Sequence, residues 1–69
     1  MNRGKLKGRI VELYGSQRAF SDKIGLTEQS ITAKLNGRSQ FSQADIVKWC
    51  TALEIEKDEV ADYFFTEGL

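Results

Sequence analysis

Residues 17–37, QRAFSDKIGLTEQSITAKLNG, constrain the fold more than any other stretch, because they spell two short amphipathic helices separated by a glycine. Phe20 and Ile24 lie four apart in the first segment, and Ile31 and Leu35 four apart in the second, so each segment presents one apolar stripe at helical spacing. Gly25 follows the last periodic residue of the first segment, where a left-handed stop belongs, and Thr27 stands where the next helix needs an N-cap. Two helices crossing sharply after a short glycine turn make a helix-turn-helix unit. The second helix of such a unit is the one free to enter a DNA major groove.

At about 100° per residue, Gln29, Thr32, Ala33 and Asn36 fall on the side of the second helix away from Ile31 and Leu35. This face is polar, small and uncharged. Glutamine and asparagine pair bidentately with adenine edges, and threonine or alanine methyls suit the thymine methyl, so the face has base-reading chemistry at the right spacing. A plain solvated helix surface carries the same residue types, and both readings stand at this point.

Gln17 three residues before Phe20, small Ser21, Gly25 at the turn, Thr27-Glu28-Gln29-Ser30-Ile31 and Asn36-Gly37-Arg38 together resemble the helix-turn-helix of the lambdoid phage Cro and repressor family. The likeness is close over residues 17–38. A looser one, IVKWCTALEI against the family's fourth helix, extends it to about Ile55. The resemblance implies an all-α, lambda repressor-like bundle of about five short helices in which Glu28, Gln29, Thr32 and Ala33 read bases. The candidates for phosphate contact are Gln17, whose counterpart also approaches the operator in that family, with Arg18, Asn36, Arg38, Gln40 and Gln43. Three positions depart from the family pattern: Ser21 replaces the usual alanine, Lys34 stands where an apolar residue is common, and Glu28 is acidic where a neutral or basic reader is common.

A chain of 69 residues supports one modest core, so a single domain over residues 1–69 is expected, the size of the Cro members. With no histidine, one cysteine, no phosphate-cradling glycine loop and no evident nucleophile and base pair, the sequence reads as a non-enzyme without metal or cofactor. Without an apolar run of membrane length or a signal-peptide pattern, it reads as cytoplasmic, nucleoid-associated in a bacterial host. Cys50 reads as a buried packing residue.

The net charge is zero, but its distribution is uneven. Residues 1–38 carry eight Lys or Arg against three acids, and residues 39–69 carry two against seven. Such a chain can turn a basic face to phosphate, or pair its halves internally.

Leu6, Ile10 and Leu13 predict a first helix over residues 5–14, with Tyr14 at the stripe's edge, Lys5, Arg9 and Glu12 on its outer side, and Asn2 to Gly4 as a loose basic arm. Ser16 is expected to cap the second helix, leaving Gln17 and Arg18 in a first turn that suits a phosphate. Further along, Ser42 and Asp45 have capping-box spacing, with Phe41 and Ile46 placed as a hydrophobic staple, so a fourth helix is expected from Gln43. Ile46, Cys50 and Leu53 are expected on its core face, with Val47 and Trp49 on the shoulders. Glu54 stands where the family usually has a glycine, at a cost of about 1 kcal/mol if the backbone there is left-handed. A fifth helix is expected from Lys57 to about Phe65, packing through Val60, Ala61, Tyr63 and Phe64.

Seven aromatics are many for so small a core. Trp49, Phe65 and Leu69 are therefore candidates for a homodimer contact, with closure over the open end of the bundle as the other reading. The function expected is a Cro-like regulator that reads a pseudo-palindromic operator in double-stranded DNA, with no membrane or small-molecule partner. The alternative is an antirepressor or antitoxin subunit of the same fold, binding a protein through its acidic, aromatic C-terminal half.

Overall fold

A computed structural model describes residues 1–65. Among them the chain is all-α: α1 (Arg3–Tyr14), α2 (Gln17–Ile24), α3 (Glu28–Leu35) and α4 (Gln43–Leu53). A 3-10 turn (Lys57–Glu59) then runs through Val60 into a π-helical turn (Ala61–Phe65), and together these form the last helical segment, α5 (57–65). Leu69 lies outside the described residues.

The short helices are delimited by local chemistry. Ser16, Thr27 and Ser42 each accept a hydrogen bond from the backbone N–H three residues on, capping α2, α3 and α4. At Ser42 the capping box is complete, since the Asp45 carboxylate also accepts the Ser42 N–H. Gly25 ends α2 and Gly37 follows α3, both left-handed, and the chain folds back so that Leu26 N–H donates to Ser21 O and Arg38 N–H to Ala33 O.

The core is one cluster from all five segments: Leu6 and Ile10 of α1, Phe20 and Ile24 of α2, Ile31 and Leu35 of α3, Trp49 and Leu53 of α4, Ile55 beyond it, and Tyr63 and Phe64 of α5. Trp49 is its centre, 0% exposed, with the rings of Phe20 and Phe41 edge-on at 5.0 and 4.7 Å. Its indole Nε1–H finds no hydrogen-bond partner among the described residues, so the packing carries the site.

Several local expectations are corrected. Trp49 is not on a shoulder but at the heart of α4's buried face, and it has no surface to give a dimer contact; Ile46 and Cys50 are half-buried, and burial raises the Cys50 thiol's pKa. The largest side chain takes the most enclosed position, which turns Val47 outward, 64% exposed. In α1 the stripe continues to Tyr14 and leaves Leu13 36% exposed, because Tyr14 packs on Phe20 and donates its hydroxyl hydrogen to Ala52 O. Arg9 is drawn inward as well, its Nε donating to Leu53 O at 2.8 Å and its Nη2 to Glu54 O at 3.2 Å.

The N-terminal arm is not loose. Asn2 caps α1 by accepting the Lys5 N–H, and its own N–H donates to Tyr63 O at 2.9 Å, tying the chain start to α5. In α5, Ala61 is exposed rather than packed, and the expected fifth helix is built of a 3-10 turn and a π turn. Glu54 is left-handed, with φ 54°, and Ile55 N–H donates to Cys50 O as it does at the glycine stops.

Candidate nucleic-acid interface

The α2–α3 unit places most of the residues read from the sequence on one outer surface. Glu28 and Gln29 are exposed in the first turn of α3, while Thr32 and Ala33, on the same side one turn later, are half-buried. Glu28 has a local reason to be acidic, since a carboxylate in a first turn meets the positive end of the helix dipole. Gln17 and Thr32 are brought together: the Gln17 side-chain Nε2 donates to Thr32 Oγ1 at 2.7 Å, linking the first turn of α2 to the outer face of α3. Arg18, next to Gln17, is exposed and its guanidinium has no partner among the described residues.

The far end of α3 carries Asn36, Gly37 and Arg38. Arg38 is exposed, held at the helix end through its backbone N–H while its guanidinium has no partner among the described residues. Asn36 is exposed, but its Oδ1 accepts from Arg3 Nη1 at 2.9 Å. Arg3 is a residue that reading along the sequence does not find. With α1 starting at Arg3 and not two residues later, Arg3 stands beside the end of α3 with further N–H donors unspent, and exposed Lys7 follows one turn along the same face. A signal for it exists: Asn2 three residues before Lys5 is an N-cap spacing.

Gln40 and Gln43 are exposed but differently placed. The Gln40 carbonyl accepts from Lys34 Nζ at 3.1 Å, and Gln43 opens α4 at an N-terminus where the Asp45 carboxylate already accepts the Ser42 N–H. That carboxylate makes this end a poorer seat for phosphate than the first turn of α2.

Lys34, the basic residue at a commonly apolar position, is explained by α4. Its Nζ lies 2.9 Å from Asp45 Oδ2 and 5.4 Å from the centre of the Phe41 ring, and its side chain is only 12% exposed. The Ser42 backbone N–H and then Lys34 hold the Asp45 carboxyl at a pKa of about 2. Lys34 thus fastens α3 to α4 and is not offered to a ligand.

The charge division is therefore partly internal. Lys5 pairs with Asp62 at 3.9 Å, Lys34 with Asp45, and Arg9 is spent on α4 and Glu12. Among the described residues Lys7, Arg18, Lys23 and Arg38 of the basic half keep no such partner. Of the dimer candidates, Phe65 is 64% exposed and Trp49 is enclosed. No helix among the described residues is long and apolar enough to cross a membrane.

Over residues 2–67 the chain matches the family described as Protein of unknown function (DUF739), and it belongs to that family. No curated protein shows a significant match to it.

Proposed function

We propose that the protein is a sequence-specific DNA-binding transcriptional regulator of Cro type, which sets α3 in the major groove of a pseudo-palindromic operator and represses by occluding a promoter. The observation that carries this reading is the outer face of α3, with Gln29, Thr32 and Ala33 in a row, together with guanidiniums that have no partner among the described residues, Arg18 in the first turn of α2 and Arg38 just past the end of α3. Base-edge chemistry in the middle and phosphate chemistry at the margins is the division a groove-reading helix needs. One such helix spans too few base pairs to specify a site. The active species is therefore a homodimer with half-site centres about 34 Å apart, and exposed Phe65 is the residue offered for its contact.

The test is selection of bound duplexes from a random library, followed by affinities across single-base variants at two salt concentrations. Gln29→Ala should cost about 1 to 3 kcal/mol and relax preference at one position of each half-site. Arg38→Ala should weaken all sequences alike and flatten the slope of log affinity against log salt by about 0.9 for each phosphate it no longer neutralises. Glu28→Gln should bind more tightly and less selectively, because it removes a negative charge from the groove. Indifference to every duplex would defeat the proposal and turn attention to a protein partner for the acidic C-terminal half.

A further inference from the structure

The bond between Gln17 and Thr32 decides which way the Thr32 hydroxyl can be read. A threonine hydroxyl has one proton and two lone pairs, and left alone on a helix it turns its proton toward a carbonyl of the preceding turn. Here the Gln17 Nε2 hydrogen occupies a lone pair at 2.7 Å, and the hydroxyl makes no other hydrogen bond among the described residues. The hydroxyl proton is left for the outer side, next to the Ala33 methyl and one turn from Gln29. The Gln17 nitrogen has a second hydrogen, free for a phosphate.

We infer that Gln17 is a positioning residue that commits Thr32 to act as a hydrogen-bond donor, so that α3 selects at this position a base presenting acceptors in the major groove, guanine above all, and rejects cytosine. This rests on the DNA-binding reading above and deepens it. Guanine presents N7 and O6, both acceptors, whereas cytosine presents only its N4 amino donor, which would face the hydroxyl proton. Phosphate binding and base preference are thereby joined through one amide, and a change at Gln17 alters which base is read without touching α3.

The experiment is the single-base panel for wild type, Gln17→Glu, Thr32→Val and the double variant, with melting curves for each. In Gln17→Glu the carboxylate can only accept, so it takes the Thr32 proton inward and turns a lone pair outward. Guanine-over-cytosine preference at one position per half-site should fall about five- to tenfold, the size of one hydrogen bond, on top of a uniform loss from the added negative charge. Thr32→Val keeps the shape, removes the hydroxyl and should level that position; adding Gln17→Glu to it should then change affinity but not preference. In the free protein, Thr32→Val should also shift the Gln17 side-chain amide resonances. A selective wild type whose base profile survives Gln17→Glu and Thr32→Val unchanged overturns this inference alone. A wild type that binds no duplex overturns the DNA reading and this inference with it.

Discussion

The α2–α3 pair and the α4–α5 end of the molecule stop their helices by different means. In the pair, each end carries its own signal within a few residues: Ser16 and Thr27 as caps, Gly25 and Gly37 as left-handed stops. At the end of α4 the left-handed residue is Glu54, and the last carbonyls are served from α1, Ala52 O by the Tyr14 hydroxyl and Leu53 O and Glu54 O by Arg9. Local capping leaves the outer face of α3 with few internal commitments, whereas remote capping spends Arg9 and Tyr14 of α1 on the end of α4. The two regions therefore differ in how their polar groups are spent, though they share one core.

The largest effects test that shared core. Ile31 and Trp49 lie in different regions, and both are 0% exposed in the same cluster. Ile31→Ala should destabilise by about 2 to 5 kcal/mol and Trp49→Ala by about 3 to 5 kcal/mol, which in a domain this small approaches the whole stability. Both should act on a single cooperative transition followed by circular dichroism and tryptophan-independent probes. If Ile31→Ala melts α3 alone and leaves the rest intact, the regions are energetically separate.

Next in size is the link between the regions, Lys34 to Asp45. Asp45→Asn removes the ion pair and weakens the capping box, and should cost about 1 to 2 kcal/mol at neutral pH. The sign of the pH effect follows from the lowered pKa. Folding holds the carboxyl at about 2 against an ordinary 3.8, so its contribution is full above 3.8 and is lost as pH falls through about 2. Urea midpoints at pH 7 and at low pH should converge for the two proteins as acid is added. Equal acid losses for wild type and Asp45→Asn would mean that Asp45 is not the group responsible.

These contrasts also mark what was legible in the sequence. The helices α2, α3 and α4 and their caps could be read because each signal is local: a hydroxyl or glycine at a fixed offset from an apolar stripe. Trp49 was misplaced because the periodicity of α4 admits two neighbouring rotations, and only the rings of Phe20 and Phe41 choose between them. The fifth helix stands over 57–65 as expected, but no residue there announces that it is a 3-10 turn passing into a π turn. At the candidate site, the exposure of Gln29 follows from helical angle, and that of Arg18 and Arg38 from their places in the first turn of α2 and just past the stop of α3. Arg3 at Asn36 and Gln17 at Thr32 join residues 33 and 15 apart in sequence, and only the packing of one helix on another brings them together.

Remote capping can itself be broken at Arg9. Arg9→Ala leaves two carbonyls at the end of α4 without their guanidinium donors and should cost about 1 kcal/mol, more if water cannot reach them. Arg9→Lys restores the charge but not the fork of donors, and should recover only part of the loss. Full recovery by lysine would show that charge near the helix end, not donor geometry, is what matters.

The smallest effect sharpens the comparison most, because it exchanges one kind of helix stop for the other. Glu54 is the non-glycine residue with positive φ among the described residues, whereas Gly25 holds φ 76° at the matching place after α2. Its contribution to Arg9 is a backbone carbonyl, which any residue supplies, and its exposed carboxylate sits at the negative end of the α4 dipole. Glu54→Gly should therefore relieve left-handed strain and keep the Arg9 bond, while the added freedom of the unfolded chain offsets part of the gain. A net stabilisation of about 0.5 to 1 kcal/mol is expected, read as a higher urea midpoint with an unchanged slope. Gly25→Ala is the mirror experiment: no atom beyond its chain neighbours lies within 4 Å of the added methyl, so its cost, about 1 kcal/mol, is that of the backbone conformation alone. If Glu54→Gly lowers the midpoint instead, the Glu54 side chain makes a stabilising contact, and the end of α4 is held by more than Arg9 and Tyr14.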